Sequence, residues 1–294
     1  MIRVHIFGGL GNQMFQYAAA RCLAEARFEK LQLDLGWFDF TPRRSAETSR
    51  HYGLREYSLS LKTDCISTNW QGSLRRRIGL KHPLLNRALL YRRITDNQLF
   101  GFNESFFATR GHTILDGYFQ HSKYFRPIEK QLREDFQPLT TLNEPWRSLA
   151  YRLMNLDSVV MHIRRGDYVT NTEAAQYHGT PGVEYYKKAM ECHLKRYQNS
   201  QFFCFSDDLV WCQQNIIHPR IEFVDTGSLS APLVLHLMSK AKHHIIANSS
   251  FSWWAGWLNN NPEKIVWCPE YWVKNIKTSD TGLLYNQSFT VVSS

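Results

Sequence analysis

Apolar runs of strand length recur along this chain, and each leads through a polar turn into a segment of helical periodicity. The strand candidates are Arg3–Phe7, Leu31–Leu35, Ser158–Ile163, Phe202–Phe205, Ile221–Val224, His244–Ala247 and Lys264–Trp267. Helices fit at Gln13–Arg27, Glu184–Tyr197, Asp208–Asn215, Ala231–Lys242 and Phe251–Asn259. Parallel strands need long crossovers, and helices supply them, so the alternation predicts a parallel α/β architecture. At 294 residues the chain has room for two such units. Pro138 and Pro145 bracket a Thr-rich polar stretch over 139–146, which predicts domains of 1–143 and 144–294. No internal repeat or low-complexity tract interrupts them.

Composition narrows the classes. With 43% hydrophobic and 21% charged residues, the chain is globular rather than disordered. Its formal charge of +9 calls for an anionic partner: nucleic acid, nucleotide phosphates or an acidic membrane surface. Aromatics reach 14%, with nine Trp, enough for a sugar-binding cleft as well as a core. The opening Met1–Gly8 is too brief an apolar stretch for a signal peptide, and no run reaches the roughly 18 apolar residues of a membrane span, which predicts a cytoplasmic protein. The six Cys, at 22, 65, 192, 204, 212 and 268, form no CxxC pair and no zinc-finger spacing. They read as reduced, mostly buried thiols, and no metal site is expected.

Four strand ends carry polar clusters. Gly8-Gly9-Leu10-Gly11-Asn12-Gln13 follows the first strand and precedes a helix. Its glycines let a ligand approach the backbone, and the helix start offers N–H groups and positive dipole. It is neither a dinucleotide fingerprint, since Met14 stands where the third Gly belongs, nor a P-loop. Asn12 and Gln13 favour binding over a bare turn. His162-Ile163-Arg164-Arg165-Gly166-Asp167 ends an apolar strand, where open α/β sheets bind ligands. Two adjacent arginines project differently, so at least one faces the ligand, and a guanidinium holds phosphate bidentately. The plainer reading is an ion pair with Asp167. Asn248-Ser249-Ser250-Phe251-Ser252-Trp253-Trp254 follows the strand at Ile245-Ile246 and reads either as a helix cap or as hydroxyls and N–H groups for phosphate, with the Trp residues in the core. In Phe205-Ser206-Asp207-Asp208 a carboxylate either caps the next helix or holds a ribose or a base amine. Together the four describe a cleft for a nucleoside diphosphate.

The glycine turn with Met14-Phe15-Gln16-Tyr17, the 162–167 motif and the 248–254 motif resemble those of the bacterial α-1,2-fucosyltransferases, glycosyltransferase family 11, in order and spacing over nearly the whole chain. More distantly the chain is similar to the α-1,6- and protein O-fucosyltransferases. The resemblance implies a GT-B fold: two Rossmann-like domains, with parallel sheets, facing across a cleft. It implies an inverting transferase that needs no metal and no cofactor. Its donor would be GDP-β-L-fucose, and its acceptor the 2-hydroxyl of a galactose-terminated oligosaccharide or lipid-linked glycan. The N-terminal domain would be the acceptor side and the C-terminal domain the donor side. Arg164 and Arg165 would hold the pyrophosphate, with His162 near the nucleotide. Asn248, Ser249, Ser250 and Phe251 would line the phosphate and nucleoside. Asn12, with Gly9 and Gly11, would face the sugar, and Asp167 would orient an arginine. One position departs from the pattern: relatives place an Asp for guanine five residues before the Ser of Leu-Met-Ser, and Val234 stands there. Either another group, such as Asp225 or Asp207, reads the base, or selectivity for guanine is looser.

The charge surplus divides on this reading. Two arginines serve one pyrophosphate, whereas Arg75, Arg76, Arg77, Lys81, Arg87, Arg92 and Arg93 fall in a stretch without Asp or Glu and interleave with leucines. That stretch reads as a solvated helical face, or as a dock for an anionic membrane carrying the glycan. A nucleic-acid module would need its basic residues along a groove-binding element, and the best-motivated arginines sit at a strand end instead.

Overall fold

A computed structural model of the chain describes residues 1–40, 51–61, 63–67, 91–96, 100–166, 179–227 and 229–293. They divide into two units, Met1–Gln137 and Pro138–Ser294. Gln137 is tied to the first unit because its carbonyl accepts a bond from the Ser58 N–H at 2.9 Å.

In the first unit, β1 (Ile2–His5) leads into α1 (Leu10–Ala26), β2 (Leu31–Asp34) and the short α2 (Gly36–Phe40). β3 (Thr63–Ile66), β4 (Tyr91–Thr95) and β5 (His112–Asp116) follow. The sheet order is β3-β2-β1-β5-β4, with every neighbouring pair parallel. The first helix starts three residues before the expected one, because Gly9 accepts from the Asn12 and Gln13 N–H groups at 3.0 and 3.1 Å. Arg92 and Arg93 lie on edge strand β4 rather than on a helical face, and basic residues suit an edge that must not pair further. Residues 75–87 of the basic stretch lie outside the described residues.

Ala18, Ala19, Ala20 and Ala24 let α1 pack closely, and its far end is pinned by a buried acid. Asp135, the last residue of α3 (Glu129–Asp135), is fully buried. It accepts from the Tyr17 hydroxyl at 2.7 Å, Arg21 Nε at 3.3 Å, and the Ser60 N–H at 2.8 Å as well as the Ser60 hydroxyl. Removing one partner of such a network leaves the others buried without compensation. Asp135→Ala is therefore expected to lower unfolding free energy by about 3 kcal/mol in a urea titration. A change under about 1 kcal/mol would contradict that account.

The second unit opens with α4 (Trp146–Asn155) and β6 (Ser158–Ile163). It continues through α5 (Val183–Leu194), β7 (Gln201–Ser206), α6 (Leu209–Asn215) and β8 (Ile221–Val224). α7 (Ala231–Met238), β9 (His243–Ile245), α8 (Ser250–Leu258) and β10 (Val266–Pro269) follow, then an antiparallel ribbon of β11 (Tyr271–Val273) and β12 (Ile276–Lys277), and last β13 (Phe289–Val292). The six-stranded parallel sheet runs β13-β10-β9-β6-β7-β8. All of β6 is buried, as its unbroken apolar run requires of a strand covered on both faces. α7 stops at Met238, short of the expected Lys242, where the Ser239 hydroxyl bonds the His236 carbonyl at 2.7 Å. Trp253, Trp254 and Trp257 of α8 are fully buried core residues.

Candidate active site

The chain enters the second sheet at its centre, runs outward through β7 and β8, then returns to build β9, β10 and β13 on the other side. The order therefore reverses between β6 and β9, and such a point opens a crevice at the carboxyl ends of the strands. Two of the sequence motifs leave the sheet there, one from β6 and one from β9.

They touch. His162 shares a hydrogen bond through Nδ1 with the Ser252 hydroxyl, and its ring centroid lies 5.6 Å from that of Phe251. Burial pushes His162 down to about 4, Arg164 adds to the fall, and Asp207 opposes it. The imidazole is thus neutral at physiological pH and acts as a hydrogen-bonding group, not as a cation. Ser249 is the N-cap of α8 and makes no side-chain capping bond, while Ser250 and Phe251 form the half-exposed first turn. The positive end of that helix dipole meets the crevice. Asn248 braces the loop: its Nδ2 donates to the carbonyls of Gly179 and Trp272, both at 3.1 Å.

The arginines are held by the end of β7. Register places Ile163 beside Ser206, which sets Asp207 next to the arginine loop. Arg164 Nη1 lies 2.9 Å from Asp207 Oδ2. The Arg165 and Gly166 N–H groups donate to Asp207 at 2.9 and 3.0 Å. Arg165 Nε reaches Asp208 Oδ2 at 3.2 Å, and its guanidinium stacks 3.8 Å from the Trp211 ring centroid. Asp208 also caps α6, accepting from the Trp211 N–H at 3.1 Å. The two arginines are therefore not equivalent. Arg165 is engaged by a carboxylate and an indole, and Arg164 is the more exposed, 30% against 19%. Asp167 lies outside the described residues. Of the two carboxylates considered for the base, Asp207 clamps the arginine loop. Asp225 is exposed after β8, with one oxygen accepting from the Gly227 N–H at 3.0 Å. Val234 lies half-exposed on α7.

In the first unit the glycine turn leaves β1, the central strand. Gly8 has φ +78°, which a side chain would strain, and Gly9 is the N-cap of α1. Gly11 is buried in the first helical turn. Asn12 Oδ1 accepts from Gln120 Nε2 at 2.8 Å. Gln13, read from sequence as a binding residue beside Asn12, is a buried brace instead. Its amide donates to the carbonyls of Gly8 and His51 and accepts from the Gly53 N–H, each at 2.9 Å.

The strand ends here also bring together a cluster that sequence reasoning passed over. His5 ends β1, Asp34 ends β2 and Asp116 ends β5. His5 Nδ1 lies 3.1 Å from Asp116 Oδ1, and His5 Nε2 lies 3.6 Å from Asp34 Oδ2. Arg93 holds the other oxygen of Asp116 at 2.8 Å. His5 lies three residues before the glycine turn; the strand expected over Arg3–Phe7 places it mid-strand, whereas β1 ends at His5, so no local signal marked it. Among the described residues no group of three or more His, Cys, Asp or Glu is arranged to hold a metal ion. None of their helices is long and apolar enough to cross a membrane.

Two Rossmann-like α/β units, each built on a parallel sheet, give the chain a GT-B fold. The profile of glycosyl transferase family 11 matches residues 91–276, and the chain belongs to that family. It is 35% identical over 279 residues to the Alpha-1,2-colitosyltransferase of Escherichia coli, covering 92% of each chain. It is 31% identical over 293 residues to the O-antigen biosynthesis glycosyltransferase WbnK of Escherichia coli, covering 90% of this chain and 92% of that one. A mutant of Arabidopsis thaliana FUT1 in complex with GDP shares the fold. Its TM-score is 0.52 at 12% identity, over 94% of this chain and 72% of that one.

Proposed function

We propose that the chain transfers L-fucose from GDP-β-L-fucose to the 2-hydroxyl of a terminal galactose in an O-antigen-type glycan, forming an α-1,2 linkage with inversion and without a metal ion. The observation that carries this reading is the contact at the β6–β9 switch point between the arginine-bearing motif and the first turn of α8, made by His162 with Ser252 and Phe251. Transfer moves negative charge onto the departing diphosphate, and a fixed guanidinium plus a helix N-terminus stabilise that charge there. Neutral His162 and the ring of Phe251 provide a hydrogen-bonding group and a flat face beside it.

The experiment is transfer from GDP-fucose to a panel of galactose-terminated acceptors, in EDTA, with linkage read by NMR. Product in EDTA with an α-1,2 bond is expected. Complete loss on chelation would sink the metal-free claim, and another bond would sink the linkage. The 35% identity to a colitosyltransferase favours a second reading in which the donor is GDP-colitose, whose sugar is L-fucose without its 3-hydroxyl. Competition between the two donors decides it. GDP-mannose competing as strongly as either would move the donor assignment elsewhere.

A tighter test addresses the arginine loop. A Cβ on Gly166 would stand 2.7 Å from Asp207 Oδ2, closer than side chains tolerate. Gly166→Ala is expected to displace the clamp and raise the Kd for GDP at least tenfold in calorimetric titration. Unchanged GDP affinity would separate the clamp from the diphosphate.

A further inference from the structure

We propose that the first unit docks on an anionic lipid bilayer through the edge formed by the amino ends of its strands, with Phe28 inserted among the lipids and Lys30, Arg92 and Arg110 set against their phosphates. The surface lies wholly within the first unit and is independent of the transfer reaction. Phe28 is unfavourable where it stands on two counts. Its N–H donates to the Glu25 carbonyl at 3.1 Å, and the Glu29 N–H donates to the Ala24 carbonyl at 2.9 Å. These are the paired bonds that close a helix, here α1, through one left-handed residue. That residue is Phe28, at φ +52°, where glycine is the default and a bulky side chain is strained. Phe28 is also 98% exposed, so no packing within the fold offsets the strain. A strained aromatic held in solvent points to a partner that covers it.

The charges around it identify that partner. Lys30 stands immediately before β2, and Arg110 stands two residues before β5. Arg27 ties the end of α1 to the start of β5, donating to the Gly111 carbonyl and, at 3.0 Å, to the Thr113 hydroxyl. Arg92 stands beside Thr113 in the β4–β5 register. Lys30, Arg92 and Arg110 are exposed and form no ion pair among the described residues. The acids nearby are already neutralised: Glu25 pairs with Arg21, and Glu29 pairs with Arg27 Nη2 at 2.7 Å. One aromatic beside three uncompensated cations is what remains. A protein partner in an ordinary interface covers about 800 Å² and takes several apolar side chains. Among the described residues of this unit, the other exposed large apolar ones are Trp37 and Tyr118. They follow the carboxyl ends of β2 and β5, at the opposite edge of the sheet. A bilayer needs no such patch. Its interface takes up single aromatic rings, and each cation near anionic headgroups strengthens binding about fivefold.

The experiment sediments the full chain with vesicles of phosphatidylcholine alone and with vesicles that also hold about one third phosphatidylglycerol, at low and at high salt. The wild type is expected to bind the anionic vesicles, to ignore the neutral ones, and to be released by salt. Phe28→Gly is expected to bind about tenfold more weakly while its melting temperature rises, because glycine relieves the left-handed φ. A phenylalanine kept for the stability of the fold would give the reverse: a lower melting temperature and unchanged binding. Lys30→Gln combined with Arg110→Gln removes two of the three cations, so a loss of at least tenfold in vesicle affinity is expected. A wild type that ignores anionic vesicles would overturn the proposal, and so would either variant binding as the wild type does. If the combined variant fails to fold, Phe28→Gly decides alone. A wild-type dimer in sedimentation velocity that Phe28→Gly dissociates, with no vesicle binding by either, would make the partner a second copy of the chain and remove the bilayer.

Discussion

Arg164→Ala is expected to cut turnover about 1,000-fold while leaving the second unit folded. The argument begins at β7. Asp207 receives the Arg165 and Gly166 N–H groups as well as Arg164, so the loop keeps two backbone anchors when the Arg164 side chain is gone. Arg165 stays on Asp208 and Trp211. Thus the loop keeps these anchors without Arg164, which brings a permanent charge to the carboxyl edge at the switch point. Loss of a preorganised charge partner costs about 10²–10³ in the chemical step. Arg164→Lys should recover part of the rate, since an ammonium supplies the charge without the bidentate fork. Arg165→Ala is expected to differ in kind: it frees Asp208 and bares Trp211, so melting temperature falls together with GDP affinity. Steady-state kinetics and thermal unfolding of the three variants separate these outcomes. Arg164→Ala within tenfold of wild type would remove the guanidinium from the diphosphate.

That division between the arginines shows where sequence reading stops. β6 was readable because an unbroken apolar run of strand length can be buried on both faces, and the polar residues beyond it had to lie at a sheet edge. The same held for β9 and the residues that follow it. What no local pattern carries is which strands are neighbours. Val159 pairs with His243 across more than eighty residues, and only that pairing brings His162 to Ser252. Asp207 read as a ligand to ribose or base because its nearness to Arg164 depends on the β6–β7 register, with His162 beside Phe205 and Ile163 beside Ser206. β3, β4 and β5 went unread because they are short and mix polar with apolar residues. Without β5 the second carboxylate at His5 had no visible partner. Gln13 misled for a related reason: its acceptors and donors come from residues 8, 51 and 53, and the turn that supplies the last two has no periodic signature.

Acid should unfold the second unit well before its carboxylates titrate. Besides His162, three histidines lie in its core, each fully or almost fully buried. Burial is the leading cause in all three, holding His193 down at about 3, His243 at about 4 and His244 at about 3, against 6.5 for a free imidazole. The bonds explain why the neutral form is kept. Trp267 Nε1 donates to His193 Nδ1 at 3.1 Å, while His193 Nε2 meets the Ser200 hydroxyl at 3.1 Å. The Ile265 N–H donates to His243 Nδ1 at 3.0 Å, and Asn259 Nδ2 lies 2.9 Å from His244 Nε2. A nitrogen that accepts a bond cannot take a proton without losing it. As pH falls through about 6.5, the unfolded chain binds protons that the folded one refuses, so stability is level above neutrality and falls with pH down to about 3. Each histidine contributes on the order of 3 to 5 kcal/mol if the whole shift is expressed. Most carboxylates ionise near 4, so the interval from about pH 6.5 to about pH 5 isolates the imidazoles. Urea unfolding across that interval should show a steady loss of several kcal/mol, and the slope should flatten in His193→Gln, which removes one titrating group. Stability that holds level from about pH 6.5 to about pH 5 would mean that these rings accept protons inside the fold at little cost.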